Sequence, residues 1–174
     1  MHKVENEEDY EAGLKDGLEY DIKVIIEPNI VGREIECAVL GNEAPRASYP
    51  GEIVMDSEAF YDFDSKYISK EAAQLHIPAK ITDEQVAQMR SMACKAFTAC
   101  GCEGLARVDF FFTEEGEMII NEINTLPGFT EISMYPKMWE ATGIGYGELL
   151  DLLIELGLER YRREQSLKLT RHPA

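Results

Sequence analysis

Residues 105–124 read LARVDFFFTEEGEMIINEIN, and this stretch decides the architecture because it holds two strand patterns joined by a short polar turn. Leu105 to Phe112 and Glu117 to Asn124 are rich in aromatic and β-branched residues, and Thr113-Glu114-Glu115-Gly116 supplies the turn. Residues two apart in a strand share a face, so Ala106, Val108, Phe110 and Phe112 make one apolar side and Arg107 and Asp109 lie on the other. The same period groups Met118, Ile120, Glu122 and Asn124 on the second strand, and separately Glu117, Ile119, Asn121 and Ile123. If Phe112 pairs with Glu117 across the turn, Arg107 lies opposite Glu122, and Asp109 is a diagonal neighbour of Glu122, roughly 7 to 8 Å away at the backbone. A two-residue slip would set Asp109 and Glu122 directly opposite and keep the faces, whereas a one-residue slip would separate them.

Working outward, Thr82 to Gln85 has the spacing of a capping box, with Ile81 and Val86 placed as a hydrophobic staple. The helix it opens carries Val86, Met89, Ala93, Phe97 and Cys100 as an apolar stripe. Asn6 is set to cap an earlier helix beginning Glu7-Glu8-Asp9, whose acidic first turn suits the helix dipole. Ile22 to Glu27 reads as a buried strand halted by Pro28, and Glu34 to Leu40 as its hairpin partner, turning at Gly41-Asn42 into a further strand near Ala44 to Tyr49. From Tyr49 to Lys70 the pattern is aperiodic, as in a lid or binding loop. A short helix is predicted over Tyr135 to Ala141. A longer one over Tyr146 to Arg163 turns Leu149, Leu152, Leu153 and Leu156 to a core. Strands in hairpins beside several helices give an α+β class with a largely antiparallel sheet flanked by helices.

The 174 residues carry 17 basic and 33 acidic side chains, a formal charge of -16. That balance argues against nucleic acid or an anionic membrane as a partner, since either requires cationic side chains to replace counterions. No stretch approaches the roughly 18 apolar residues of a membrane span, and the acidic N-terminus is unlike a secretory signal, so a cytoplasmic protein is expected. The four cysteines, at 37, 94, 100 and 102, lack paired CxxC spacing, and His2, His76 and His172 do not cluster. Small buried thiols and packing or surface histidines are the reading.

Polar residues on the Arg107 face are the chemical clue. Asp109 and Glu122 with the amide oxygen of Asn124 make a hard-oxygen set of the kind magnesium takes alongside substrate phosphates, and Arg107 could position an anion beside it. The alternative is a solvated sheet face with an Arg107–Glu122 ion pair contributing about 0 to 1 kcal/mol. Glu27 and Glu34 could accept hydrogen bonds from a nucleotide's amino or ribose groups, or be surface charge. Lys66, within the aromatic loop Phe60 to Tyr67, could contact a phosphate or simply lie along the surface. Neither a GxxxxGK[ST] loop nor a GxGxxG turn is present.

Five ordered segments, GREIECAVLGN (32–42), YPGEI (49–53), FYDFDSKY (60–67), GLARVDFFF (104–112) and NEINTLPGFTEISMYP (121–136), resemble the C-terminal part of bacterial D-alanine:D-alanine ligases of the ATP-grasp superfamily. The likeness runs over about residues 3 to 162. It implies the C-terminal lobe of an ATP-grasp fold, and ATP-dependent joining of two D-alanines through a D-alanyl phosphate. Such a reaction serves peptidoglycan synthesis, cell wall biogenesis and cell shape, in an enzyme usually homodimeric. By the same resemblance Asp109, Glu122 and Asn124 match magnesium ligands, with manganese an alternative ion. Glu27, Ile30 and Glu34 match purine and ribose contacts, and Lys66 a phosphate contact on a closing loop. Arg107 and the Gly128 backbone amide match groups that stabilise the oxyanion. Ser133 and Met134 match the stretch receiving the second D-alanine's carboxylate, and Tyr67 a loop position tied to choice of that substrate. The family's N-terminal domain, its paired phosphate-binding lysines and its serine-rich loop have no counterpart before Val4. The resemblance therefore implies a fragment, residues 1–174 as one lobe with a frayed tail over 166–174, inactive in isolation. A non-catalytic magnesium-nucleotide or scaffold module, and a metal-dependent phosphoesterase, are the competing readings.

Overall fold

The computed structural model describes residues 2–55 and 73–168, which belong to two compact units, Met1–Ile30 and Val31–Ala174. In the first unit α1 (Glu7–Gly17) opens where its cap requires: the Asp9 amide donates to Asn6 Oδ1 at 2.9 Å, and Glu7, Glu8 and Asp9 occupy the first turn. The strand expected at Ile22 to Glu27 is absent; these residues carry no ladder, and Ile22, Ile25 and Ile26 are 90%, 84% and 59% exposed. An apolar run becomes a strand only when a neighbour accepts its backbone hydrogen bonds. The segment expected to pair with it has both edges occupied by other strands.

That segment is β1 (Arg33–Gly41), the axis of the second unit. Along one edge it pairs antiparallel over its whole length with β5 (Gly104–Phe112), from Arg33↔Phe112 to Gly41↔Gly104. The other edge is shared between β2 (Arg46–Ala47), which returns after the Gly41 turn, and β3 (Gly51–Met55). With β4 (Ala73–His76) outside β3 and β6 (Met118–Asn124) outside β5, the order is β4-β3-β1-β5-β6 and every pairing is antiparallel. β3 and β4 were not legible as strands. β3 carries the buried Glu52, held by a forked contact from Arg33 (Nε to Oε1 and Nη2 to Oε2, both 2.6 Å), and so departs from simple apolar alternation.

One face of the sheet is covered by α2 (Asp83–Ala99), which begins at the expected capping box: Thr82 Oγ1 accepts from the Gln85 amide and Gln85 Oε1 from the Thr82 amide. Its Met89, Ala93 and Phe97 pack on Ile35, Cys37, Val39, Ala106, Val108, Phe110 and Phe112, and Val86 is buried on the same stripe. The stripe ends at Phe97, because Cys100 is the exposed C-cap. Cys37 is fully buried, and burial pushes its thiol up to about 12, whereas Cys94 and Cys102 are half-buried. The opposite face receives α3 (Met134–Ala141) and α4 (Tyr146–Gln165), whose Tyr135, Met138, Trp139 and Leu149 pack on Ala38 and Leu40. β1 is thus buried on both faces. β5 alternates, apolar side chains towards α2 and Arg107 and Asp109 towards the α3 side. None of the described helices is long and apolar enough to cross a membrane.

Candidate functional site

The β5–β6 ladder sets the site, and its register differs from the simplest sequence pairing. Next to the turn, Phe112 pairs with Met118 and Phe110 with Ile120; beyond an irregularity, Asp109 pairs with Glu122, Val108 with Ile123 and Arg107 with Asn124. Asn121 is the extra residue, a bulge that reverses the alternation of β6. Met118 and Ile120 therefore share the α2 side with Phe112 and Phe110, and Glu122 and Asn124 share the other side with Asp109 and Arg107. The grouping of Met118, Ile120, Glu122 and Asn124 on one face does not hold, because it assumed an unbroken period of two. With the bulge, Asp109 and Glu122 stand directly opposite, at the close spacing of about 4.5 to 5.5 Å between Cβ atoms.

Arg107 organises this face. Its Nε donates to Asp109 Oδ1 at 2.7 Å and its Nη2 to Asp109 Oδ2 at 2.6 Å, a fork that uses both carboxylate oxygens, while Nε also lies 3.3 Å from Glu36 Oε2. Burial opposes the Arg107 charge, but the Asp109 hydrogen bonds and the charges of Glu36, Asp109 and Glu122 outweigh it and hold the guanidinium pKa above its ordinary value. Glu36 was missed in the sequence, where Glu34-Ile35-Glu36-Cys37 reads as a strand with one wet face. β1 sets Glu36 directly across from Asp109 on the side away from β6, and there it is 8% exposed. Burial, only partly countered by Arg107, pushes its carboxyl up to about 7, with Asp109, Glu34 and Glu122 adding repulsion. The available signal was its place two residues before Ala38 and four before Leu40, where the face that begins at Glu34 turns apolar.

Around the end of β6 the chain turns through an Asx arrangement, Asn124 Oδ1 accepting from the Leu126 amide at 3.1 Å. Gly128 follows, exposed, and lies so close to Ser133 that a Cβ there would stand 3.1 Å from Ser133 Oγ. Ser133 occupies the N-cap of α3 but makes no capping bond, its Oγ instead accepting from the Thr130 amide at 3.0 Å and pairing with Thr130 Oγ1 at 2.9 Å. The Met134 side chain is buried among Tyr135, Met138 and Leu40, so only its backbone amide, one of the unpaired donors of a helix first turn, is available to a ligand. Tyr146 secures this loop from α4 by donating to the Phe129 carbonyl at 3.1 Å. A cavity of about 230 Å³ between Glu131, Pro136, Lys137, Glu140 and Tyr146 includes none of Arg107, Asp109, Glu122, Asn124, Gly128, Ser133 and Met134.

The structure thus brings Arg107, Asp109, Glu122 and Asn124 onto one sheet face, with Glu34 two residues along β1 from Glu36 and exposed. Glu27 is exposed and Ile30 half-buried within the first unit. Lys66 and Tyr67 lie outside the described residues. Among the described residues no three His, Cys, Asp or Glu side chains converge, so any cation here would rest on two carboxylates and the Asn124 amide. That donor set fits a hard divalent ion. Asn124 Oδ1 keeps a lone pair beyond its one hydrogen bond, and each Asp109 oxygen keeps one beyond the Arg107 fork, with the guanidinium charge left to compete with any ion.

A family model described as D-ala D-ala ligase C-terminus matches residues 1–155. The chain is 55% identical over 171 residues to the D-alanine--D-alanine ligase of Oceanobacillus iheyensis, an alignment covering 98% of this chain and 46% of that protein. Among solved structures, the D-alanine-D-alanine ligase from Coxiella burnetii superposes with a TM-score of 0.78 at 43% identity, covering 93% of this chain and 42% of that one. The Bacillus anthracis D-alanine--D-alanine ligase complexed with ATP gives 0.73 at 30% identity, covering 94% and 51%. The chain spans about half the length of the curated relatives it matches. The antiparallel sheet with its flanking helices is therefore that of the ATP-grasp ligases, and the chain belongs to the family of D-alanine:D-alanine ligase C-terminal regions.

Proposed function

We propose that these residues form the catalytic lobe of an enzyme that joins two D-alanines at the expense of ATP. The observation carrying this reading is the shared face of Arg107, Asp109, Glu122 and Asn124, produced by the Asn121 bulge, in a chain of this family. A carboxylate is inert towards an amine until its oxygen becomes part of a leaving group. In the proposed reaction the first D-alanine's carboxylate oxygen bonds to the terminal phosphorus of ATP and ADP leaves. The second D-alanine's amino nitrogen then attacks the acyl carbon, losing a proton, and inorganic phosphate departs from the tetrahedral adduct.

Magnesium, or manganese in its place, held by Asp109, Glu122 and Asn124, would neutralise the charge of the phosphates. Arg107 and the Gly128 amide suit the oxyanion of the adduct, where donors fixed in advance are worth more than water. Glu27, Ile30 and Glu34 are assigned to the purine and ribose, Lys66 to a phosphate, and Ser133, the Met134 amide and Tyr67 to the second D-alanine. An acidic protein of charge -16 would then accept ATP only as its metal complex, and nucleic acid is disfavoured as a partner. Cytoplasmic location and a homodimeric parent belong to the same reading and rest on the family resemblance.

The test uses the protein at its full encoded length with ATP, magnesium and D-alanine, following phosphate and the dipeptide together. Both should appear in equal amounts, and Glu122→Ala should lower kcat by about 100-fold or more, the scale of losing one main electrostatic stabiliser. Phosphate release independent of D-alanine, or near-normal turnover in that variant, would overturn the assignment.

A further inference from the structure

Both oxygens of Asp109 accept from the Arg107 fork, so a cation that takes a remaining Asp109 lone pair competes with the guanidinium for the same carboxylate charge and weakens the fork. A displaced guanidinium N–H in a part-buried setting needs another acceptor, because leaving it unpaired carries its full desolvation cost. One is in place. Glu36 Oε2 lies 3.3 Å from Arg107 Nε, is buried, and has no hydrogen-bond partner among the described residues. The Glu36 side chain is 10% exposed, and its strand fixes it directly across from Asp109. Arg107 therefore sits between two carboxylates, one on the candidate ligand set and one behind it.

We propose that Glu36 is a positioning residue that receives Arg107 when Asp109 turns to a divalent cation, an inference that rests on the cation reading given above. The unsatisfied oxygen of Glu36 accepts the N–H that Asp109 gives up, so the guanidinium keeps a charged partner and a fixed place on the face while the metal site opens. A structural role alone would explain burial of Glu36. It would not by itself explain an unpaired, buried oxygen 3.3 Å from the same Nε that donates to Asp109.

The experiment measures manganese affinity in the presence of ADP, at the full encoded length, for the wild type, Asp109→Asn, Glu36→Gln and the double variant. Asp109→Asn is expected to lose affinity by tenfold or more, and unchanged binding there would refute the cation reading itself. Glu36→Gln, which keeps shape but weakens the acceptor, is expected to lose about tenfold alone and to add little in the Asp109→Asn background, where no handover remains. Loss in Asp109→Asn with none in Glu36→Gln would overturn the handover and leave the cation reading standing; so would full additivity in the double variant. A second measurement needs no variant: the Arg107 Nε–H resonance of ¹⁵N-labelled protein should shift on adding magnesium and ADP yet stay protected from exchange. An unmoved resonance, or loss of protection, would contradict the handover.

Discussion

Gly51→Ala is a small change whose cost can be worked from the packing. Gly51 faces Glu36 across the β1–β3 ladder at the place where α3 descends on the sheet. A Cβ there would lie 2.6 Å from Met134 Cε, 3.1 Å from Met138 Cγ and 3.2 Å from Ile77 Cγ1. Carbon atoms are comfortable from about 3.5 Å, so the three must retreat by about 0.9, 0.4 and 0.3 Å. Met134 offers a flexible terminal methyl, but the other two atoms are nearer their backbones and can move only by leaving their rotamers, at about 0.5 to 1.5 kcal/mol each. A total of about 1 to 3 kcal/mol is the usual cost of overpacking. With a urea slope of about 2 kcal/mol/M, the unfolding midpoint should fall by about 0.5 to 1.5 M with the slope unchanged. Truncating the tightest contact should relieve part of this, so the same substitution in a Met134→Ala background should cost about 1 kcal/mol less. An unchanged or raised midpoint, or strict additivity of the two changes, would refute the close-packing argument.

Other expectations follow from single contacts. The Arg33 hydrogen bonds, the largest influence, together with the charges of Arg33 and His76, hold the Glu52 carboxyl below its ordinary value. A lowered folded pKa gives stability that is present above the ordinary carboxylate value near 4.3 and lost as pH falls towards the folded one. The stability difference between wild type and Glu52→Gln should therefore hold steady from pH 7 to about pH 5 and shrink as the pH falls below about 4.3 in denaturant titrations, and a difference that stays constant or grows below that value would contradict the sign. Tyr135→Phe removes the buried hydrogen bond from Tyr135 Oη to the Val39 carbonyl, 2.7 Å. It should cost about 1 to 2 kcal/mol, and a cost below about 0.3 kcal/mol in the same titration would show the bond to be incidental.

What could be read from the letters was local. The Thr82–Gln85 box, the Asn6 cap and the Val86-Met89-Ala93-Phe97 stripe depend on residues a turn apart, and the structure has each of them. Pairing depends on distant chain and was read less well. Ile22 to Glu27 has the composition of a strand but no ladder partner, and the short β3 hides because its Glu52 is made buriable by Arg33, far away in sequence. The Arg107–Asp109 face was legible from alternation in β5. Its exact juxtaposition with Glu122 was not, because the Asn121 bulge cannot be counted from a period of two. Glu36 escaped for a related reason: whether the second face of β1 is wet depends on α3, nearly a hundred residues downstream.

The central claim is that Asp109, Glu122 and Asn124 together grip the metal of a metal–nucleotide complex, and calorimetric titration with magnesium and ATP at the full encoded length tests it most directly. Wild-type protein should give a saturable heat, and Glu122→Gln and Asn124→Leu should each weaken binding by tenfold or more, about 1.4 kcal/mol, with thermal midpoints unchanged. Equal affinities in all three proteins would contradict the account.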